Sequence, residues 1–298
     1  THGLSGNKVR NITQLPDGRM MITTEGLLNL YDGTNFSYLH YDREDICRLS
    51  DYSGFHHEYI DAHGYMWLKN QRQLMVVDIG RECFIERPDS LLALWGIDTP
   101  MKDFFMDKTK DLWVITDKDD LVRIDKTTLQ ASTFLNRVSL IGDTTDQVYD
   151  LGVLDGNLYL FYRSGLLICY AMESQKEIYR QKLSDELPEG VYGNTSYVVP
   201  GTNTFYQLCN GNRGGVMLAY DVERRKWNIV LQTSYWLNYL SVDKDGSIWI
   251  SCHKGLWNID AGLERKQYIP TLKLVDGRNI NTEVSTLYND SQGGMWVG

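Results

Sequence analysis

Short apolar runs alternate with polar positions along the whole chain, and Asp, Gly, Asn and Ser gather in the gaps between them. Inside the runs the alternation has a period of two, as in DGSIWIS around Trp249 and KDLWVIT around Trp113, which predicts half-buried β-strands. No amphipathic helix is predicted between the runs.

The runs repeat. Trp67 in HGYMWLK, Trp113, Trp249 and Trp296 in GGMWVG share one slot, and Met21 in DGRMMIT, Tyr159 in DGNLYLF and Tyr206 in TNTFYQL fill the gaps between them. The intervals are 46, 46, 46, 47, 43 and 47 residues, a beat that chance does not keep. Before each slot lies a first strand, such as Val9 to Leu15, Phe104 to Met106 or Tyr239 to Val242. A turn follows, often Asp-Gly as at Asp17-Gly18, Asp155-Gly156 and Asp245-Gly246, the dipeptide expected where both central residues take positive φ. The second strand carries the slot residue. Third strands are predicted at Leu27 to Tyr31, Leu74 to Asp78, Leu121 to Asp125, Leu166 to Tyr170, Val216 to Tyr220 and Leu256 to Asp260. Less regular fourth runs include Phe36 to Tyr41, Phe84 to Glu86, Ala131 to Phe134, Glu177 to Tyr179 and Trp227 to Leu231.

Four short antiparallel strands per repeat predict an all-β fold, a seven-bladed β-propeller forming one domain over residues 1–298. The blades centre near residues 21, 67, 113, 159, 206, 249 and 296, and the last is expected to be truncated within its second strand at Val297-Gly298. A lone four-stranded sheet cannot bury both faces, so the slot aromatics are predicted to wedge between neighbouring blades.

Composition narrows the function. With 42% hydrophobic and 23% charged residues the chain can bury a sizeable core. A net charge of −9 argues against non-specific nucleic-acid or anionic-membrane binding, which needs clustered Lys and Arg. Cys47, Cys83, Cys169, Cys209 and Cys252 are odd in number and irregularly spaced, so neither a disulfide framework nor a zinc site is indicated. The six histidines are scattered, and adjacent His56 and His57 would point to opposite strand faces. There is no GxSxG, HExxH or P-loop, no catalytic residue is nominated, and no cofactor or metal is expected.

Two sets of side chains are candidates for binding. In a propeller the loops between second and third strands open on the same face as the connections into each first strand. Those loops carry Arg72, Lys118, Arg163, Arg213 and Lys254, the last beside His253, with Glu25 the exception in the first repeat. Such cations fit an anionic sugar or a carboxylate partner. Trp95 in LLALWGIDTP and Trp236 in TSYWLNYL lie in connections before first strands, where an exposed ring can stack on a sugar.

The repeat pattern, D-x-x-G-x-hydrophobic-W-hydrophobic followed by G-L-x-x-hydrophobic-D, resembles the two-component-regulator propeller repeat. HGLSGNKVRNITQ from His2 to Gln14 and EGLLNLYDG from Glu25 to Gly33 add to the likeness, which covers essentially the whole chain and is weakest in repeats four and five. The resemblance implies the N-terminal periplasmic sensor propeller of a bacterial hybrid two-component system that regulates polysaccharide use. It implies a non-catalytic module with an oligosaccharide ligand, no nucleic-acid partner, and a homodimeric full-length protein. A second propeller, a β-sandwich, a membrane helix and a histidine kinase would lie elsewhere in that protein. A propeller polysaccharide lyase or glycosidase and a protein-interaction scaffold are the alternatives. A sialidase Asp box fails because Lys244 stands two residues before Gly246, and the Gly-His and Trp-Asp pairs of WD40 repeats do not recur.

Overall fold

The computed structural model describes residues 3–25, 27–51, 56–183, 187–273, 275–281 and 283–298, so His2 and Gly26 of the first-repeat motifs lie outside the described residues. The chain is an all-β propeller arrangement of antiparallel sheets in which strands one to four of each repeat pair in sequence order. The third repeat is typical: Met101–Met106, Leu112–Thr116, Leu121–Ile124 and Ala131–Leu135. Among the described residues six repeats form such sheets, whereas the seventh contributes the hairpin Leu287–Asn289 with Met295–Val297. The expected seven blades are therefore six full sheets and one two-stranded blade.

The second repeat departs from the pattern. Its fourth position is shared by two short segments, Cys47–Arg48 and Cys83–Phe84, which both pair with Gln73–Asp78. The second segment is cut short because Pro88 opens a helix, Pro88–Leu94, with proline in the first turn where its missing N–H costs nothing. That helix is a correction to the helix-free reading. The turns are corrected too. Both central residues have positive φ at Asp155-Gly156, but at Asp17-Gly18 and Asp245-Gly246 only the glycine does. There the Gly18 and Gly246 N–H groups return to Leu15 and Asp243, as in a longer hairpin loop that ends in a left-handed residue.

The residues group into two compact units, one of residues up to Tyr38 together with Leu183–Gly298, the other Leu39–Lys182. In the second unit Trp67 and Trp113 are fully buried. Trp67 stacks on Phe104 of the next sheet with centroids 4.7 Å apart, and Trp113 meets Phe134 edge-on at 5.4 Å. At about 25 cal/mol per Å² and roughly 200 Å² per ring, each such indole brings at most about 5 kcal/mol of transfer free energy. In the first unit Met21 is buried, Trp249 is half-buried, and the half-buried Trp296 packs against Ile12, Met20 and Tyr31. Leu208, Met217 and Leu231 of repeat five share a core with Leu240 and Ile250 of repeat six. The slot residues are thus packing wedges, as expected.

Each wedge tryptophan carries a polar edge that also needs a partner. Trp67 Nε1 donates to Asp61 Oδ2 at 2.9 Å, Trp113 Nε1 to Asp107 Oδ2 at 2.8 Å and Trp296 Nε1 to Asp290 Oδ2 at 2.9 Å. The other oxygen of each carboxylate accepts backbone N–H groups of the turn, from His63 and Tyr65, from Thr109, and from Gln292 and Gly294.

A polar layer runs through the first strands. Asn11, His57, Asp103, Asp150, Tyr239 and Thr286 each stand two residues before the partner of a slot residue. A register shift precedes Asn11, Asp103, Asp150 and Tyr239. In the second unit Asp103 pairs with the fully buried Lys69 at 2.8 Å, and the Lys69 ammonium lies 4.1 Å from the Phe105 ring centroid.

Candidate ligand-binding face

The connection from the fourth strand of repeat five, Lys226–Thr233, to the first strand of repeat six, Leu237–Val242, is four-way pinned. Thr233 Oγ1 accepts the Tyr235 N–H at 2.9 Å. The Asn210 side chain acts as a surrogate strand, accepting from Leu237 N and donating to Leu237 O, both at 2.9 Å. Trp236 Nε1 donates at 2.8 Å to the carbonyl of Gly211, the last residue of the second strand of repeat five. The Trp236 carbonyl in turn accepts His253 N–H at 3.1 Å, from the loop between second and third strands of repeat six. Trp236 is nevertheless 58% exposed. A large apolar ring is therefore held still while its surface faces water, which costs hydrophobic free energy without a packing return.

Charged and polar groups surround it. Lys254 Nζ sits 5.3 Å from the Tyr235 ring centroid. The Lys254 carbonyl accepts from the Tyr268 hydroxyl and, at 3.0 Å, from the Cys252 thiol. Burial raises the pKa of both donors, most strongly among the causes at work on each, so both keep the protons they donate. The loop is closed by Gly255 at φ 83°, where a Cβ would lie 2.3 Å from Ile269 O, so only glycine fits. His253 Nδ1 is 3.5 Å from Glu283 Oε2, and Glu283 Oε1 accepts from Asn238 Nδ2 at 2.9 Å. On the repeat-five loop the exposed Arg213 forms an ion pair with Glu189 at 2.8 Å.

Of the sequence candidates, Trp236, His253, Lys254 and Arg213 gather on these adjoining loops of one unit. Arg72, Lys118 and Arg163 are exposed loop residues of the other unit. Glu25, the acidic exception, is held by Lys8 at 3.3 Å and Arg10 at 2.8 Å, which together keep its carboxyl below the usual carboxylate range. Trp95 is corrected: it caps the helix Pro88–Leu94, is 7% exposed, and packs 5.8 Å from Trp67 in the core, so it offers no stacking face. Asn210 and Glu283 were not nominated from sequence. Asn210 follows the buried Leu208 and Cys209 near the end of the strand Thr204–Gly211, and a polar residue at that end was the available signal.

The exposed Trp236 indole thus stands held among cationic, amide and carboxylate groups. The class the fold defines is a β-propeller. No family model matches the chain, and no curated protein does. Solved structures do. The extracellular domain of the BT3049 hybrid two-component system of B. thetaiotaomicron is similar over 100% of this chain, with a TM-score of 0.68 and 18% identity. That of the BT4673 hybrid two-component system of the same organism is similar over 99%, with a TM-score of 0.68 and 15% identity. The chain spans 39% and 37% of those two structures, so it shares the fold of part of each.

Proposed function

We propose that this chain is a non-catalytic sensor module of a hybrid two-component system, outside the cytoplasm, that recognises oligosaccharides released from glycans. The carrying observation is Trp236, exposed over more than half its surface yet fixed through its indole, its backbone and its neighbours. Sugars present apolar C–H faces to an aromatic ring and hydroxyls to the groups around it, and Lys254, Arg213, His253, Asn238 and Glu283 supply both donors and acceptors there. Pre-fixing the ring removes part of the ordering cost of binding.

The likeness to extracellular domains of hybrid two-component systems supports the sensor reading. In the full-length protein the bound sugar would bias dimer geometry, with further sensor domains and a kinase completing the signal. A thermal-shift screen against neutral and acidic oligosaccharides, with product analysis of every hit, tests the proposal. Stabilisation without turnover is expected. Turnover would make the chain an enzyme, and no shift with any sugar would make it a scaffold.

A further inference from the structure

A second place on the molecule has the attributes of a small binding site, in the other unit and independent of Trp236. A cavity of about 180 Å³ opens against the third sheet, lined by Asp98, Thr99, Lys118, Asp120, Ser132 and Thr133 over an apolar floor of Ile97, Val122 and Ala131. Three segments build it: the connection after the helix Pro88–Leu94, the loop between second and third strands, and the edge strand Ala131–Leu135.

Its walls are fixed by backbone bonds. Ala131 N donates to Trp95 O at 2.9 Å and Ile97 N to Leu92 O at 3.0 Å, which tie the start of the connection to the edge strand and to the helix. Asp117 N donates to Pro100 O at 2.9 Å, which ties its end to the loop. The loop closes on itself through Thr116 N to Asp120 O at 3.0 Å and Asp120 N to Thr116 Oγ1 at 3.2 Å. Gly96 takes φ 102°, and a Cβ there would lie 3.3 Å from Ala131 Cβ, so the connection runs as near the strand as a chain can. Against these satisfied walls the side chains of Asp98, Thr99, Lys118, Asp120, Ser132 and Thr133 make no hydrogen bond or ion pair with any described residue. In the same loop, by contrast, Asp119 is fully engaged, with Lys102 at 2.9 Å and Ser139.

We propose that this cavity binds a single neutral sugar ring. Carboxylates accept, an ammonium donates and the hydroxyls of Thr99 and Thr133 do either, the mixture that vicinal diols need, while the apolar floor meets the C–H face. Two carboxylates against one ammonium leave the site net negative, so it selects against anions. At roughly 30 Å³ per water the space replaces about six waters, and it is below the roughly 300 Å³ at which drug-sized ligands begin to fit, so it takes one ring and not a chain. About a dozen non-hydrogen atoms on an open site give a dissociation constant on the millimolar scale.

Saturation-transfer difference NMR with glucose, galactose, mannose and xylose at about 10 mM, on the whole chain, is the test. Saturation of at least one sugar is expected in the unaltered protein and in Trp236→Ala. It should fall at least about fivefold in Thr133→Leu, whose side chain stands on the Val122 face that lines the cavity, and in Asp120→Asn. Leucine is the zwitterionic control and should show no transfer. No sugar signal, a signal undiminished in Thr133→Leu, or transfer to leucine instead of the sugars would overturn the proposal. Loss of signal in Trp236→Ala with retention in Thr133→Leu would move the sugar to the Trp236 face.

Discussion

The indole of Trp113 and the carboxylate of Asp107 form a buried hydrogen bond of 2.8 Å, and its equivalents join Trp67 to Asp61 and Trp296 to Asp290. One carboxylate thus serves two levels of structure: it folds the turn through backbone N–H groups and orients the wedge that packs the next sheet. Asp107→Ala leaves the buried indole N–H without its acceptor and releases the turn, and should destabilise the protein by about 2–3 kcal/mol. Asp107→Ala combined with Trp113→Phe should cost clearly less than the sum of the two single changes. Urea unfolding of the four proteins of this cycle measures it, and simple additivity would contradict the coupling.

A second test concerns the buried ion pair. Lys69→Met strands the Asp103 carboxylate in the interior and should cost about 3–5 kcal/mol, while Lys69→Met with Asp103→Leu should recover most of that loss, since two apolar side chains remove the charges together. Thermal unfolding of the three proteins decides between a stabilising pair and a specificity device.

The half-buried His57 stacks on Tyr59 at 5.5 Å, and burial first, then Lys69 and His56, hold its pKa well below the ordinary value. The folded state therefore refuses a proton that the unfolded state takes near pH 6.5. As the pH falls below about 6.5 the unfolded state binds more protons and stability declines, by up to about 1.4 kcal/mol per pH unit for this group. His57→Gln should flatten the stability profile between about pH 6.5 and 5. An unchanged slope would remove His57 as its source.

Lys110 has φ 73° at a place, three residues before the slot, where Gly18, Gly64, Gly246 and Gly293 have φ of 92°, 85°, 83° and 85°. A left-handed lysine costs about 1–2 kcal/mol, and glycine's extra unfolded-state entropy costs about 0.5–1. Lys110→Gly should stabilise by about 0.5–1 kcal/mol in urea titrations.

Much of this was legible in the sequence because the repeat is long-range information written locally: one slot residue, one turn and one apolar beat recur often enough to define the sheets. The Asp–Trp spacing is legible as well: an aspartate stands six residues before each of the four slot tryptophans, Leu15, Val153 and Pro200 precede the Met and Tyr slots, and Asp61, Asp107 and Asp290 make the bond. The reason to look there, a buried indole N–H seeking an acceptor, becomes plain only once the slot is known to be interior. Trp95 was misplaced because a helix of 7 residues is too short to show a period, and that helix turns the ring inward. Trp236 was found from its place in a connection, but what makes it a platform, the grip of Asn210, Gly211 and His253, joins residues of two repeats that no local pattern links.

The central claim rests on the exposed face of Trp236, and calorimetric titration of the oligosaccharides that shift the melting temperature tests it most directly, comparing the unaltered chain with Trp236→Ala and Trp236→Phe. The account predicts at least about a tenfold loss of affinity in Trp236→Ala, partial retention in Trp236→Phe, and less than about 1 kcal/mol change in stability for either, because the ring is outside the core. Undiminished binding by Trp236→Ala would contradict it.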